Sequence, residues 1–280
     1  MKKPITVLKT TLNIGIQEPV KLLHITDTHI ALDDEGNDSG RYKCFDRDYE
    51  NCSIDYYFQA VEYAKQNNLT ILHTGDFLDF ISERNLDFAD KYLMPLDCIY
   101  AAGNHDFCHC VGKAKEDYEY KWHYIKQSAP HLKNNLYFYS RIIGGVNVVT
   151  LDDSYYLISD AQIECLKAEV AKGYPIVLAM HVPFYAPNQA KLQKEKGEEC
   201  AFMVAAPQEC LNSYREVRRL QQTPDEATLR AVEYIKNEPL IKAIITGHNH
   251  KNCEEIIGDG KIQITTAGNF DGYVREITII

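Results

Sequence analysis

The stretch Lys21-Leu22-Leu23-His24-Ile25-Thr26-Asp27-Thr28-His29 runs a short apolar segment into a polar cluster. Unbroken apolar runs of this length suit strands buried on both faces. The same grammar recurs along the chain. Leu69 to Thr74 ends at Gly75-Asp76, and Cys98 to Ala102 ends at Gly103-Asn104-His105-Asp106. Val146 to Leu151 ends at Asp152-Asp153, Ile176 to Met180 at His181, and Ile241 to Thr246 at Gly247-His248-Asn249-His250.

Helical patterns lie between several of these runs. Ser53 is placed to cap a helix through about Asn67, with Ala60, Val61 and Ala64 on one side. Ser159 followed by Gln162 reads as a capping box ahead of Ile163, Leu166 and Val170. Thr223-Pro224-Asp225-Glu226 supplies an N-cap, a proline at the first helical position and an acid at the third, for a helix ending near Asn237. Alternating strands and helices predict α/β layering. The ends differ: Thr6 to Ile14 and Lys261 to Ile280 read as strands with no helix between, and Asp271-Gly272 carries a hairpin signal. Mixed sheets are therefore expected rather than a purely parallel one. The polar segment from about 187 to 223 breaks the pattern and reads as an insertion with its own helices in a single domain spanning 1–280.

Composition sets the outer bounds. At 280 residues, with 45% hydrophobic and 25% charged residues, the chain can bury a core of its own. No apolar run reaches the ~20 residues of a membrane span. Lys9 interrupts the short apolar stretch after Met1-Lys2-Lys3-Pro4, so no secretion signal is read, and nine cysteines, an odd number, point to reduced thiols in the cytoplasm. The net charge of −10 does not favour a binder of nucleic-acid backbone. It leaves an anionic substrate open, because metal ions can supply local positive charge. Cys108-His109-Cys110 is read as inert thiols rather than a zinc site.

In open α/β sheets, ligands gather beyond the carboxyl ends of strands. The polar clusters all follow their strands, so Asp27, His29, Asp76, Asn104, His181, His248 and His250 can converge there. Imidazole and oxygen donors without thiolate suit divalent first-row metals. Asp27 and His29 lie two apart, as do His248 and His250, a spacing that aims both members of a strand-end pair to one side. Glycines before Asp76, Asn104 and His248 permit close backbone approach. His24 and His73 sit three residues before Asp27 and Asp76, on the opposite face, and are read as packing residues.

The ordered set DxH, GD, GNHD, a lone strand-end His and GHxH, from about Lys21 to Phe270, resembles the metallophosphoesterase, or calcineurin-like phosphoesterase, superfamily. The resemblance implies a four-layer sandwich of two mixed β-sheets flanked by helices, and a centre of two divalent metal ions that activates a bridging hydroxide. Carried over by motif, one metal takes Asp27, His29 and His250. The other takes Asn104, His181 and His248, and Asp76 bridges them. Manganese or iron is favoured on ligand hardness, with zinc or nickel as alternatives. His105, next to the ligand Asn104, is the candidate proton donor to the leaving group, and Asp106 the candidate that fixes its tautomer.

Departures from the motif narrow the class. Phe80-Ile81 follows Asp79 where the protein phosphatases carry Arg-Gly, so their phosphate-clamping arginine is missing. His29 and Asp79 stand where purple acid phosphatases have glycine and tyrosine, and Asp79 where the nuclease branch has a histidine. The expected activity is phosphomonoester or phosphodiester hydrolysis on a small soluble substrate. A nuclease and a non-catalytic binding module on the same fold are the alternatives. The acidic loop from Asp33 to Asp38, with Arg41, Lys43 and Arg47, leaves the strand end beside the metals and is expected to shape the pocket. The insertion should overhang the same face, with Arg215, Arg218 and Arg219 as candidate contacts to a second phosphate or a carboxylate.

Overall fold

The computed structural model describes residues 3–32, 52–109 and 118–280. Two mixed sheets carry the fold. The first contains β1 (Thr6–Leu12), β2 (Val20–Ile25), β3 (Thr70–His73), β4 (Cys98–Tyr100) and β11 (Tyr273–Ile279), in the order β1-β11-β2-β3-β4. The second contains β5 (Phe138–Ile143), β6 (Val146–Leu151), β7 (Ile176–Ala179), β8 (Ile241–Thr246), β9 (Cys253–Ile257) and β10 (Lys261–Thr265), in the order β5-β6-β7-β8-β10-β9. β2, β3 and β4 run parallel, as do β6, β7 and β8.

Strand alternation explains the layering. On β2, Leu22 faces the other sheet and joins Leu72, Ile99, Val148, Val177, Ala243 and Ile277 in a core between the two sheets. Leu23 and Ile25 point the other way and pack under α1 (Ser53–Gln66) and α2 (Glu83–Tyr92), through Tyr57, Ala60, Phe88 and Ala89. The outer face of the second sheet is covered by α4 (Asp160–Val170) and α8 (Glu226–Asn237), through Ile163, Leu166, Ala231 and Ile235. Truncating one of these buried leucines to alanine costs about 2–5 kcal/mol. The architecture is thus α/β, with four layers. α3 (Tyr118–Ser128) packs near the short turn that follows Asn104.

Segment 187–223 holds α5 (Pro187–Glu195), α6 (Gln208–Leu211) and α7 (Glu216–Gln222) around a small core of Ala190, Cys200, Met203, Leu211 and Tyr214. A parallel bridge between Phe184 and Val204 ties it to the chain just beyond β7.

Three local expectations need correction. α1 starts at Ser53, but its N-cap is Cys52, with no side-chain cap bond. The cap of α8 is Asp225, whose carboxylate accepts from Thr228 N at 2.7 Å. Thr223 is taken up by the end of α7, its hydroxyl donating to the Arg219 carbonyl at 2.6 Å. Asp271-Gly272 closes no hairpin, because β10 and β11 belong to different sheets. The turn there is tied to the first sheet instead, Asn269 N donating to Thr26 O at 2.8 Å and Phe270 N to Asp27 O at 3.1 Å. The capping box at Ser159 and Gln162 forms as the spacing predicts.

Candidate metal centre

The carboxyl ends of β2, β3 and β4 meet those of β7 and β8, and the turns beyond them bring the sequence-identified residues together. Asp27, His29 and His250 place a ligand atom each within 4.8 Å of one another, and so do Asp76, His181 and His248. A third such group, His29, Asp76 and His105, lies between them. His181 Nε2 is 3.1 Å from Asp76 Oδ2, and His250 Nε2 is 3.2 Å from Asp27 Oδ1.

The local backbone differs from a continued strand. Asp27, His29, Asp76, His248 and His250 all take left-handed conformations, with φ between 50° and 65°. Each such residue costs about 1–3 kcal/mol, and asparagine, aspartate and histidine are the side chains that tolerate it best. The i, i+2 pairs do converge, but through paired left-handed turns rather than through pleating. Close packing allows no alternative. A Cβ on Gly247 would fall 1.8 Å from Thr26 Oγ1 and 2.5 Å from Asp27 Oδ2, and one on Gly103 would fall 2.2 Å from Asp76 Oδ1.

Secondary contacts fix the rings. His181 Nδ1 donates to Thr74 O at 2.6 Å, so its Nε2 faces the site. Tyr156 OH lies 3.1 Å from His248 Nε2, and His248 Nδ1 lies 3.1 Å from His181 Nε2. Asp27 Oδ2 accepts from Thr26 Oγ1 at 2.7 Å and from His248 N at 3.0 Å, joining the two sheets. Asp153 accepts from His181 N at 3.0 Å and Val182 N at 3.1 Å and so anchors the turn beyond β7. Neither Asp153 nor Tyr156 is flagged by sequence as part of the site; the acidic pair Asp152-Asp153 at a strand end is the one signal that points to either.

Asp106 does not touch His105. Its buried carboxylate accepts from Asp76 N (3.0 Å), Gly103 N (2.9 Å), Leu78 N (3.1 Å) and Tyr100 OH (2.5 Å). It is a buckle for the turns after β3 and β4. The residue that holds His105 is Asp79: His105 Nδ1 lies 2.9 Å from its carbonyl oxygen and 3.1 Å from Oδ1, and the same Oδ1 is 2.9 Å from His29 Nδ1. The turn geometry brings the acid three residues beyond Asp76 to the ring, whereas the sequence neighbour of His105 points down among backbone amides.

His24 and His73 are buried beneath the site and hydrogen-bonded. His24 reaches Thr266 Oγ1 at 2.9 Å and Thr74 Oγ1 at 2.7 Å. His73 reaches Thr28 Oγ1 at 2.9 Å and accepts from Gly75 N at 3.1 Å. They do more than fill space, because they brace the turns that carry Asp27 and Asp76. The loop expected to shape the pocket, Asp33 to Asp38 with Arg41, Lys43 and Arg47, lies wholly outside the described residues, as does Cys110.

Charge is distributed as a cation site requires. Burial would raise the Asp76 carboxyl, but His181 and His105 beside it hold it well below the usual range. Asp27 is likewise held low against its burial by His250. Burial opposes protonation of His181 and His29, yet Asp76 lifts His181 to about 10, and Asp27 and Asp79 lift His29 to about 9. His248 and His250 are pushed down by burial, which leaves their rings neutral and able to ligate. Two carboxylates therefore stay ionised in a buried space, balanced by protons on the His181 and His29 rings that a bound metal ion would displace. Asp27 Oδ1 and Asn104 Oδ1 are buried with no hydrogen-bond donor among the described residues, whereas buried acceptors in proteins are normally satisfied. Orphaned oxygens beside convergent imidazole nitrogens are the donor set of a hard-to-intermediate dication, so the residues present fit metal ions.

A family model described as calcineurin-like phosphoesterase matches residues 20–252. Among solved structures, a dimetal phosphatase from Danio rerio is similar at 16% identity and a TM-score of 0.56, over 90% of this chain and 88% of that one. The protein TT1561 of Thermus thermophilus is similar at 11% identity and a TM-score of 0.48, over 91% and 92%. At 16% identity the likeness to the Danio rerio protein concerns the fold alone. No curated protein matches the chain.

Proposed function

This chain belongs to the calcineurin-like phosphoesterase family and is a metal-dependent phosphoester hydrolase, and from that premise we propose which of its residues carry the reaction. Asp27, His29 and His250 would hold one divalent ion and Asn104, His181 and His248 a second, with Asp76 available to both. The observation that carries this reading is the pair of orphaned, buried acceptors, Asp27 Oδ1 and Asn104 Oδ1, among the clustered imidazoles. Manganese or iron fits the donor hardness better than zinc or nickel. When bound, two such ions supply Lewis acidity toward the phosphoryl oxygens and a hydroxide nucleophile at neutral pH.

The chain's own groups do the rest. His105 presents Nε2 toward Asp76, at 4.0 Å from Oδ2, and lines the cleft. With Nδ1–H donated to the Asp79 carbonyl, the imidazolium form of the ring passes its Nε2 proton to the departing oxygen and is left as the neutral Nδ1–H tautomer. Asp79 keeps that ring, and the ring of His29, in one tautomer and one orientation. The substrate is a small soluble phosphomonoester or phosphodiester, and the compartment is the cytoplasm, on the odd cysteine count. No helix among the described residues is long and apolar enough to cross a membrane.

The test is a screen of aryl phosphate mono- and diesters, cyclic nucleotides and phospholipid headgroups, with Mn²⁺, Fe²⁺, Zn²⁺ and Ni²⁺ each added, alongside anomalous scattering from metal-soaked crystals. Two anomalous peaks, one on each side of Asp76, are expected. Density at neither place after soaking would refute the ligand assignment.

A further inference from the structure

The cleft over the metal-binding turns has two walls. One is built by His248, Asn249 and His250, and the other by the 187–223 insertion, through Lys196, Glu198, Phe202 and Arg218. The proposed reaction uses the first wall only in part and the second not at all.

Asn249 sits between two metal-binding histidines, is 2% exposed and lines the cleft, yet neither atom of its side-chain amide has a hydrogen-bond partner among the described residues. A buried amide in this state is kept at a cost to folding. A ligand group that reaches into the cleft would satisfy it.

Across from it, Phe202 is held rigidly. Its neighbours Cys200, Ala201, Met203 and Val204 are fully buried, and Val204 N donates to Pro183 O at 2.9 Å while Tyr185 N donates to Val204 O at 2.9 Å. Phe202 itself takes a left-handed φ of 48°, unusual for an aromatic side chain, and its ring centroid lies 6.2 Å from that of His248. Arg218 is stacked over this ring, with Cζ 5.1 Å from the centroid. Its guanidinium donates to the neutral amide of Gln221, at 2.9 Å. No carboxylate lies within ion-pair distance of Arg218 among the described residues, whereas Arg215 is paired with Glu199. A guanidinium seated over an aromatic ring beside the candidate metal centre, with no carboxylate partner among the described residues, is preorganised for contact to an anion. Lys196 adds a second cation on the same wall. Burial and its neighbour Lys251 pull its ammonium down, and Glu198 and Asp271 pull it the other way.

We propose that this cleft is the leaving-group subsite, and that the departing half of the natural substrate carries a second anionic group, phosphate or carboxylate, bound by Arg218 stacked on Phe202 and by the amide of Asn249. The proposal rests on the metal-site reading above, since that site defines which end of the substrate is cleaved.

The test measures binding of three non-hydrolysable probes to the Mn²⁺-loaded protein by calorimetry: phenylphosphonate, 4-carboxyphenylphosphonate and 1,4-phenylenediphosphonate. Wild type should bind at least one of the two probes with a second anion about 10- to 100-fold tighter than phenylphosphonate, and which one shows the larger gain separates carboxylate from phosphate. Arg218→Gln should abolish that preference. Asn249→Leu should reduce it while leaving the melting temperature equal or higher, because an orphaned amide is removed. Equal affinity of wild type for all three probes would overturn the proposal. So would a full preference retained by both variants. No binding of any probe, together with no turnover of phenyl phosphate at any added metal, would overturn the metal-site reading and this proposal with it.

Discussion

Replacing Asp79 by asparagine separates positioning from folding. Asp79 Oδ1 bonds His29 Nδ1 at 2.9 Å and lies 3.1 Å from His105 Nδ1, whose own hydrogen bond goes to the Asp79 carbonyl oxygen at 2.9 Å. The substitution keeps the volume and an acceptor but removes the charge. A hydrogen bond to an ionised partner contributes about 1.5–3 kcal/mol and a neutral one about 0.5–1.5 kcal/mol, so the His29 ring loses about 1–1.5 kcal/mol, while His105 keeps its carbonyl acceptor and loses only the charge beside it, a smaller amount. At 1.36 kcal/mol per decade the His29 loss is about 5- to 13-fold. On the His29 side the loss falls on metal affinity, read by titrating metal-depleted protein with Mn²⁺ against a chromophoric chelator. On the His105 side it falls on kcat, read over aryl phosphates of graded leaving-group acidity, with the larger loss for the poorer leaving groups. Asp106→Asn is the control. Its amide must turn at least one N–H toward a backbone donor such as Leu78 N, which costs about 1–3 kcal/mol of folding stability in a urea melt. It should show no trend with leaving group. Unchanged metal affinity and a flat kcat ratio in Asp79→Asn, or a leaving-group trend in Asp106→Asn, would refute the assignment of Asp79 as the residue that orients both rings.

Other outcomes follow from the same geometry. His105→Ala should keep both metals by elemental analysis and lower kcat by about 10²–10⁴-fold for alkyl esters, with a smaller loss for a p-nitrophenyl ester; a loss of metal would assign it a structural role. Gly247→Ala forces a Cβ to within 1.8 Å of Thr26 Oγ1, so overpacking should cost about 1–3 kcal/mol and shift Asp27 away from His250. Elemental analysis should then find fewer metal ions than in wild type, and full loading at unchanged affinity would show that the close approach does not set the Asp27 position. Asp225→Ala removes the cap bond to Thr228 N and should destabilise the fold by about 1 kcal/mol without touching kcat; an unchanged denaturation midpoint would argue that α8 is held by packing alone.

Much of this protein is legible in its sequence, because its chemistry and its strand grammar coincide. Apolar runs such as 69–74 and 241–246 bury both faces, so they read as inner strands, and the polar clusters that end them mark where the chain leaves the sheet. Ligand types and the glycines before them are local properties, since donor chemistry belongs to the side chain and close approach to the missing Cβ. Partnership is not local. Asp106 adjoins His105 in the chain but is turned among the amides of Gly103, Asp76 and Leu78, while Asp79, from another turn, holds the ring. Which of three insertion arginines faces the cleft is likewise a matter of packing: Arg215 is consumed by Glu199 and Arg218 lies on Phe202. The left-handed turns at Asp27, His29, His248 and His250 belong to the same class. A strained backbone persists only where contacts from elsewhere hold it, here hydrogen bonds such as Asp27 N to Gly75 O and His248 N to Asp27 Oδ2, and those contacts exist only once β2, β3 and β8 have come together.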